Sequence, residues 1–441
     1  MLETQARTDA LLDRLQRGAF GYFLEQCNPA NGLVADTSRA GSPVSIAVVG
    51  FALSCYPAAV ERGWMTRADA VGRTLATLRF FWNSVQGDGP DATGHKGFYY
   101  HFLDIRSGRR VWDCELSLID STLLLAGMLT AGVYFAGPSA DETDIRGLAD
   151  ALYRRADWQW ARGGRRTVSQ GWKPESGFLH YGWEGYSEAA ILYVLGLASP
   201  TSPLHDCFGA WTETYQWESI YGTEFLYAGP LFIHQFSHAW IDFRGIRDEF
   251  MREKRCDYFE NSRRATYVQR EYARRNPHGF SGYDADCWGL TAGDGPAWGT
   301  RDCGGRSRRF FGYAARGVPF GPDDGTIAPW APLAALPFAP DIALPALRAL
   351  CARYPELFAR DRLPTGFNPT LPGPGPAGWI SEGRYGLDQG IVVLMIENFR
   401  TGLIWRLMRQ CPYIRAGLQR AGFSGGWLSR PPACGGADAE Q

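Results

Sequence analysis

Two glutamates four residues apart, Glu184 and Glu188, stand among aromatic side chains in the stretch Tyr181-Gly-Trp-Glu-Gly-Tyr-Ser-Glu188, and an apolar run from Ala189 to Leu197 follows directly. Their spacing puts both carboxylates on one face if a helix already includes Glu184, or on either side of its first turn if the helix begins later. A carboxyl group beside apolar rings loses hydration, which favours its protonated form. A carboxyl still protonated near neutral pH is what general acid catalysis needs. Trp183 and Tyr186 offer ring faces suited to sugars. The competing assignment is structural: one glutamate caps the helix and the other pairs with an arginine.

Other carboxylates recur at the starts of apolar segments. In Trp112-Asp-Cys-Glu-Leu-Ser-Leu-Ile-Asp-Ser-Thr122, Asp113, Glu115 and Asp120 surround the beginning of an apolar helix. Burying Asp120 inside such a run requires a partner, for which Arg110 or Arg154 is available, whereas Asp113 and Glu115 could serve a helix N-terminus. Asp388, in Tyr385-Gly-Leu-Asp-Gln-Gly390, sits at a turn-to-helix junction, with Glu397 deeper in the same helix.

Metal chemistry has little support. His234 and His238 are spaced i, i+4, a zinc-compatible interval, but no third ligand accompanies them. Ser237, His238, Asp242 and Arg244 are instead expected to form a hydrogen-bonded network lining a polar pocket. The segment Pro322-Asp-Asp-Gly-Thr326 lacks the alternating ligands of a calcium loop and reads as a tight turn facing the cleft. No Gly-rich phosphate loop, G-x-S-x-G elbow or HExxH occurs.

Composition narrows the substrate. Lys+Arg 45 against Asp+Glu 46 gives a formal charge of -1, which argues against nucleic acid and anionic membranes and for a neutral ligand. Aromatic residues make up 14% of the 441 residues, and many lie in Gly/Pro-rich segments, as in a carbohydrate groove. The ten cysteines are scattered without CxxC spacing, so free thiols are expected, with Cys287 and Cys303 close enough in sequence to pair in an oxidising compartment. No apolar run has the length of a membrane span. The N-terminus lacks signal-peptide character, so a cytoplasmic location is expected for a full-length chain and a periplasmic one if a leader has been removed.

The elements that must position these groups are helices. The pattern predicts them from Thr8 to Cys27, Ser45 to Arg62, Thr66 to Val85, Leu116 to Ala136, Asp141 to Ala161, Ser187 to Leu197, Pro230 to Ala239, Arg247 to Arg275, Pro332 to Leu336, Ile342 to Tyr354 and Asp388 to Leu407. Thr66 with Asp69 resembles a capping box. Gly97 to Asp104, Gly177 to Tyr181 and Trp379 to Tyr385 read as hairpin pieces over one end of the helical body. Asn276 to Asp324 and Pro364 to Gly378 read as surface loops on a rigid scaffold. The expected organisation is one all-α domain over residues 1–425, an α/α barrel with loops gathered at one end, and a disordered tail from 426 to 441.

Five strings carry a resemblance: Gly97-Phe-Tyr-Tyr-His-Phe-Leu-Asp104, Glu115-Leu-Ser-Leu-Ile-Asp120, Trp183-Glu-Gly-Tyr-Ser-Glu-Ala189, Phe236-Ser-His-Ala-Trp-Ile-Asp-Phe-Arg-Gly245 and Tyr258-Phe-Glu-Asn-Ser-Arg-Arg-Ala265. Together with Trp288-Gly-Leu-Thr-Ala-Gly-Asp-Gly-Pro296, Asp323-Asp-Gly-Thr-Ile-Ala-Pro-Trp330 and Gly386-Leu-Asp-Gln-Gly390, they resemble the glucoamylase-like bacterial proteins. That group includes endo-β-1,2-glucanases of glycoside hydrolase family 144 and the processing domains of cyclic β-1,2-glucan synthases. The resemblance implies an (α/α)6 barrel acting on β-1,2-linked glucan without metal or organic cofactor. By motif it points to Glu188, to the acidic group Asp113, Glu115 and Asp120, and to Asp388 across the cleft. Its endoglucanases are inverting; its synthase-type domains are retaining and transfer glycan to sugar.

Glycoside cleavage needs a carboxylic acid at the leaving oxygen and a second carboxylate that activates water or attacks the sugar. Glu188 is the expected acid. Its expected partner lies in the Asp113/Glu115/Asp120 cluster, Glu115 foremost, with Asp388 as alternative. Trp183, Tyr186, Trp288, Trp298, Phe310, Trp330 and Trp379 are candidate stacking platforms, and Glu184, His238, Arg244, Arg263, Asp294, Asp324 and Gln389 candidate hydroxyl ligands. Two other classes remain open: a sugar epimerase or lyase on the same barrel, and a glycan-binding protein without catalysis.

Overall fold

The computed structural model describes residues 2–89 and 91–430. Fourteen α-helices appear among the described residues. They are α1 (Leu2–Glu25), α2 (Ile46–Glu61), α3 (Arg67–Asn83), α4 (Leu118–Tyr134), α5 (Ala140–Arg155), α6 (Ala190–Ala198), α7 (Cys207–Thr212), α8 (Glu249–Glu253), α9 (Tyr258–Arg275), α10 (Ala331–Ala334), α11 (Pro340–Arg353), α12 (Gly386–Arg400), α13 (Leu403–Gln410) and α14 (Pro412–Arg420). The protein is mostly helical, with short strands.

Residue type divides the helices into two tiers. In α2 every residue from Ile46 to Ala59 is buried, and α4, α6 and α12 are buried along most of their length. Helices apolar on all sides require neighbours on all sides. Accordingly α12 packs on α2, α2 on α4 and α4 on α6, while α1 covers α12, α5 covers α4, α14 covers α6 and α11 covers α10. The amphipathic outer helices carry their own caps: Thr66 and Ser139 accept the N–H groups of Asp69 and Glu142, the former as the capping-box reading required.

A close backbone contact joins α2 to α4. A Cβ on Gly50 would lie 2.3 Å from the Leu123 carbonyl oxygen, and one on Gly127 would lie 2.1 Å from the Gly50 carbonyl oxygen. Only glycine permits that approach.

The N-terminal ends of α2, α4 and α12 meet at one end of the helical body. Phe102–Leu103 pairs with Val44–Ser45, just before α2, and the sheet containing Phe98–Tyr100, Leu116–Ser117 and Gly171–Lys173 leads into α4. Tyr385, before α12, bridges to Thr37. The hairpin readings over Gly97 to Asp104 and Gly177 to Tyr181 therefore hold in part, because Gly177–Phe178 completes the same five-stranded sheet. Trp379–Ile380 pairs instead with Phe367–Asn368.

Several predicted elements differ. The helix expected over Pro230 to Ala239 is two 3-10 turns, Leu231–His234 and Ser237–Ala239. That over Arg247 to Arg275 breaks between α8 and α9 around Arg255, at φ 51°, and that over Asp388 to Leu407 breaks at Gly402, at φ 68°. Apolar periodicity continues across both breaks, so it did not signal them. Within Asn276 to Asp324 a five-residue hairpin pairs Gly299–Cys303 with Arg306–Phe310. Residues 426–429, expected to open a disordered tail, are ordered instead: Gly426–Ser429 forms a 3-10 turn, and Trp427 Nε1 donates to the Asp242 carbonyl. Residues 431–441 lie outside the described residues. Cys287 and Cys303 are free thiols rather than a pair.

Candidate active site

A ring of carboxylates gathers where the inner helices begin. Glu188 lies just before α6, not on it, since that helix starts at Ala190. The Glu188 carbonyl accepts a 2.7 Å hydrogen bond from Ser237 Oγ, which holds the turn against the next inner segment. Burial pushes the Glu188 carboxyl up to about 7, and the charge of Asp120 adds to the rise. Glu184, by contrast, is exposed on the preceding loop, where Thr167 Oγ1 donates to it at 3.3 Å. The two glutamates do not share a helical face.

Asp120 occupies the first turn of α4, where the helix dipole favours a negative charge. Ser117 accepts the Asp120 N–H as N-cap and donates its hydroxyl to Asp120 Oδ2. Arg110 and Arg154, the partners expected from sequence, are elsewhere: Arg110 pairs with Glu175 and Arg154 with Asp150. The partner is His101, whose Nε2 stands 3.6 Å from Asp120 Oδ2 while its Nδ1 stands 2.8 Å from Glu115 Oε1. Burial alone would lower the imidazolium pKa, but Asp120, Glu115 and Asp36 together raise it to about 9. Burial opposes ionisation of Glu115 too, yet His101 holds its carboxyl below the usual range. His101 is thus a cation clamped between two carboxylates and stacked on Phe102 at 3.9 Å between ring centres. Asp113 is exposed and left-handed, at φ 46°, outside this arrangement.

Asp36 and Asp388 complete the ring. Asp36 receives the Gly386 N–H on its carbonyl, and burial raises its carboxyl to about 6, with His101 opposing and Asp120 adding. Asp388, in the first turn of α12, is 6% exposed and Oδ2 has no partner among the described residues. Burial holds its carboxyl well above the ordinary range. Tyr313, 57% exposed, lies between Asp36, Asp388 and Tyr385; the surrounding protein first, and these groups next, raise its hydroxyl above the usual range. On the rim, Asp294 Oδ2 accepts from Arg39 and, at 3.0 Å, from Ser381 Oγ. Trp379, half-buried, belongs to the strand leading to Ser381. Trp112, Tyr181 and Trp298 are 70%, 68% and 65% exposed, which leaves ring faces open to solvent.

Other expected ligands lie elsewhere. Trp288 and Trp330 are 0% and 1% exposed and Phe310 0%, so they are core residues with no free face. His238 is enclosed by Phe243, Phe259 and Phe338, and its Nε2 bonds Ser262 Oγ at 2.9 Å. His234 Nε2 instead meets the Ala228 carbonyl, so the two rings do not converge on a metal position. Asp242 pairs with Arg244 and Arg409, and Arg244 lies over Trp405 beyond the C-terminal end of α12. The expected polar pocket around Ser237, His238, Asp242 and Arg244 is therefore absent. Arg263 points along the outer face of α9 beside Glu260 and Tyr267. Asp324 does not face the cleft: it is 0% exposed and locked to Arg316 at 2.7 Å. Gln389 is also fully buried, with Nε2 on the Leu363 carbonyl. Trp183 and Tyr186 are half-buried beside Glu188, Tyr186 against Tyr215, His234 and Tyr258.

Asp36, Arg39, His101, Tyr313 and Tyr385 were not expected from sequence. A signal existed for Asp36, an acid directly after the apolar run Leu33-Val-Ala35, and for His101, the one basic residue in Phe98-Tyr-Tyr-His-Phe-Leu103.

A mostly helical body with carboxylates gathered at the helix starts and aromatic residues on the rim defines the glucoamylase-like class. The chain belongs to the family whose model, described as "Putative glucoamylase", matches residues 180–412. A structure from Bacteroides uniformis, also named as a glucoamylase of this kind, is 29% identical, covers 96% of this chain and 99% of its own, and superposes with a TM-score of 0.84. The β-1,2-glucanase from Parabacteroides distasonis is 26% identical with a TM-score of 0.83, over 94% of this chain and 60% of its own. An exo β-1,2-glucooligosaccharide sophorohydrolase (non-reducing end) from Parabacteroides distasonis is 27% identical over 93% of this chain. The chain spans 58% of that curated relative's length.

Proposed function

We propose that this chain is a glycoside hydrolase that cleaves β-1,2-linked glucan on a single (α/α)6 barrel, with Glu188 as general acid and Asp120 as its partner. The observation that carries this reading is the contrast between the two carboxyl groups. Glu188 is raised to about 7 and retains a proton near neutral pH, whereas Asp120 sits at a helix start facing a cationic His101. That division of roles is what glycoside cleavage requires: Glu188 passes its proton to the leaving glycosidic oxygen, and Asp120 activates water at the anomeric carbon. Water as nucleophile makes the reaction inverting. Asp120 replaces Glu115 as the favoured partner because Glu115 is held by His101 Nδ1 at 2.8 Å. Asp388, whose carboxyl burial holds well above the ordinary range, serves as a hydroxyl ligand. Trp112, Trp298 and Tyr313 are the stacking faces that replace the buried tryptophans.

The names of the Parabacteroides relatives support the substrate class. Cleavage within the chain is the first reading; release of sophorose from the non-reducing end is the second, favoured by the name of the 27% identical relative. Wild type and Glu188→Gln incubated with linear β-1,2-glucan separate these. A ladder of shortened chains supports internal cleavage, sophorose alone supports the exo reading, and the first-formed anomer reports the stereochemistry. Unchanged glucan with the wild type overturns both.

A further inference from the structure

The hairpin formed by Gly299–Cys303 and Arg306–Phe310 carries an unusual charge pattern. Arg301 lies directly opposite Arg308, and Arg306 opposite Cys303, so alternation puts Arg301, Arg306 and Arg308 on one face with no acid among them. Like charges directly opposite destabilise a hairpin. Arg306 Nη1 and Arg308 Nη2 also converge beside Gly279, coming within 3.1 and 3.9 Å of where its Cβ would be. Arg308 is tied to the His278 and Gly279 carbonyls at 3.0 and 2.7 Å and lies over the Phe280 ring, yet its buried Nε has no partner among the described residues. Arg306, Arg308 and Phe280 line a groove of about 500 Å³ with His278, Arg309 and Asp323. Asp323 does not neutralise them by a direct ion pair: its carboxylate accepts the hydroxyls of Tyr272 and Tyr283 at 2.8 and 2.7 Å.

We propose that this groove binds an anionic substituent, a phosphodiester or a carboxylate half-ester, carried by a glucan chain whose backbone occupies the cleft. The inference rests on the glucan reading above. The hairpin is flanked in sequence by Trp298 and Tyr313, both largely exposed and the second among the site carboxylates, so the strands that carry the arginines rise from the rim of the cleft. Guanidinium forks suit such oxyanions.

The test compares linear β-1,2-glucan with the same glucan partly succinylated, on wild type, Arg306→Gln and the Arg306→Gln/Arg308→Gln double variant. KM from initial rates and affinity by calorimetry, using catalytically disabled Glu188→Gln versions, are both measured. The wild type is expected to favour the succinylated chain about threefold to fivefold, the worth of exposed charge pairs, and to lose that preference at about 0.5 M NaCl. Both arginine variants are expected to lose it while keeping wild-type rates on neutral glucan. Equal affinity for the two glucans in wild type, or a preference that survives in the variants, overturns the proposal. Inorganic phosphate that competes only with the succinylated chain supports a site shared with the substituent; phosphate that binds without affecting either glucan identifies a free-anion site and overturns it. Binding of both glucans without cleavage by the wild type sinks the hydrolase reading but leaves the affinity comparison decisive here.

Discussion

His101 is the residue on which the site's charge balance turns. With a pKa near 9 it remains an imidazolium across the neutral range, and its single positive charge is shared between Glu115 and Asp120. Replacing it by Gln removes that positive charge, so Glu115 and Asp36 become harder to ionise and the acidic limb of kcat/KM moves to higher pH. A histidine with only a packing role would leave the limb in place. For the wild type the profile is expected to be bell-shaped. Activity falls as pH rises through about 7, where Glu188 loses the proton it must donate, and falls as pH drops through about 6, where Asp36 becomes protonated and the ring loses a charge. Glu188→Gln is expected to cost about 10²–10⁴ in kcat and to abolish the alkaline limb, measured on linear β-1,2-glucan. His101 has a folded pKa above its unfolded value of about 6.5, so its stabilisation is complete below that pH and is lost as pH rises through about 9.

Helices and the loops between them carry the next level of prediction. Removing Arg316 leaves Asp324 buried without its cation in the wall that supports Asp294 and Tyr313, and Arg316→Met is expected to lower stability by about 3–5 kcal/mol in urea unfolding. This scale also shows why sequence reading succeeded unevenly. The place of Glu188 at the entry to an inner helix was legible because the apolar run Ala189 to Leu197 marks that helix, and that of Asp120 because it interrupts an apolar run. Trp288 and Trp330 were misplaced because an aromatic in a Gly/Pro-rich segment gives no sign of which face it turns inward. His101 escaped because Phe98-Tyr-Tyr-His-Phe-Leu103 reads simply as a strand, and its function depends on Glu115 and Asp120 arriving from beyond a separate loop. Helices of the inner tier were recognisable from unbroken hydrophobicity, whereas the breaks at Arg255 and Gly402 depend on single left-handed residues that leave no periodic trace.

For the molecule as a whole, the formal charge of -1 leaves little long-range field, and an uncharged glucan has no charge for the site to attract. Encounter with neutral glucan is therefore expected to be nearly independent of ionic strength, so kcat/KM for the unmodified chain should change little between about 0.02 and about 0.5 M NaCl. A steep salt dependence on that substrate would contradict the charge balance described for the site.

The contact between Gly50 and Gly127 acts as the gauge of this machine. It sets the separation of α2 from α4, and at the mouth those helices anchor the Asp36 loop and Asp120 respectively. A methyl group inserted there, well below the mouth, wedges the two axes apart, and the displacement reaches the carboxylates as a change in their spacing. Two missing side chains in the interior thus set how the Asp36 loop stands to Asp120 at the mouth, and a Gly127→Ala protein that still folds is expected to lose kcat/KM before it loses its fold.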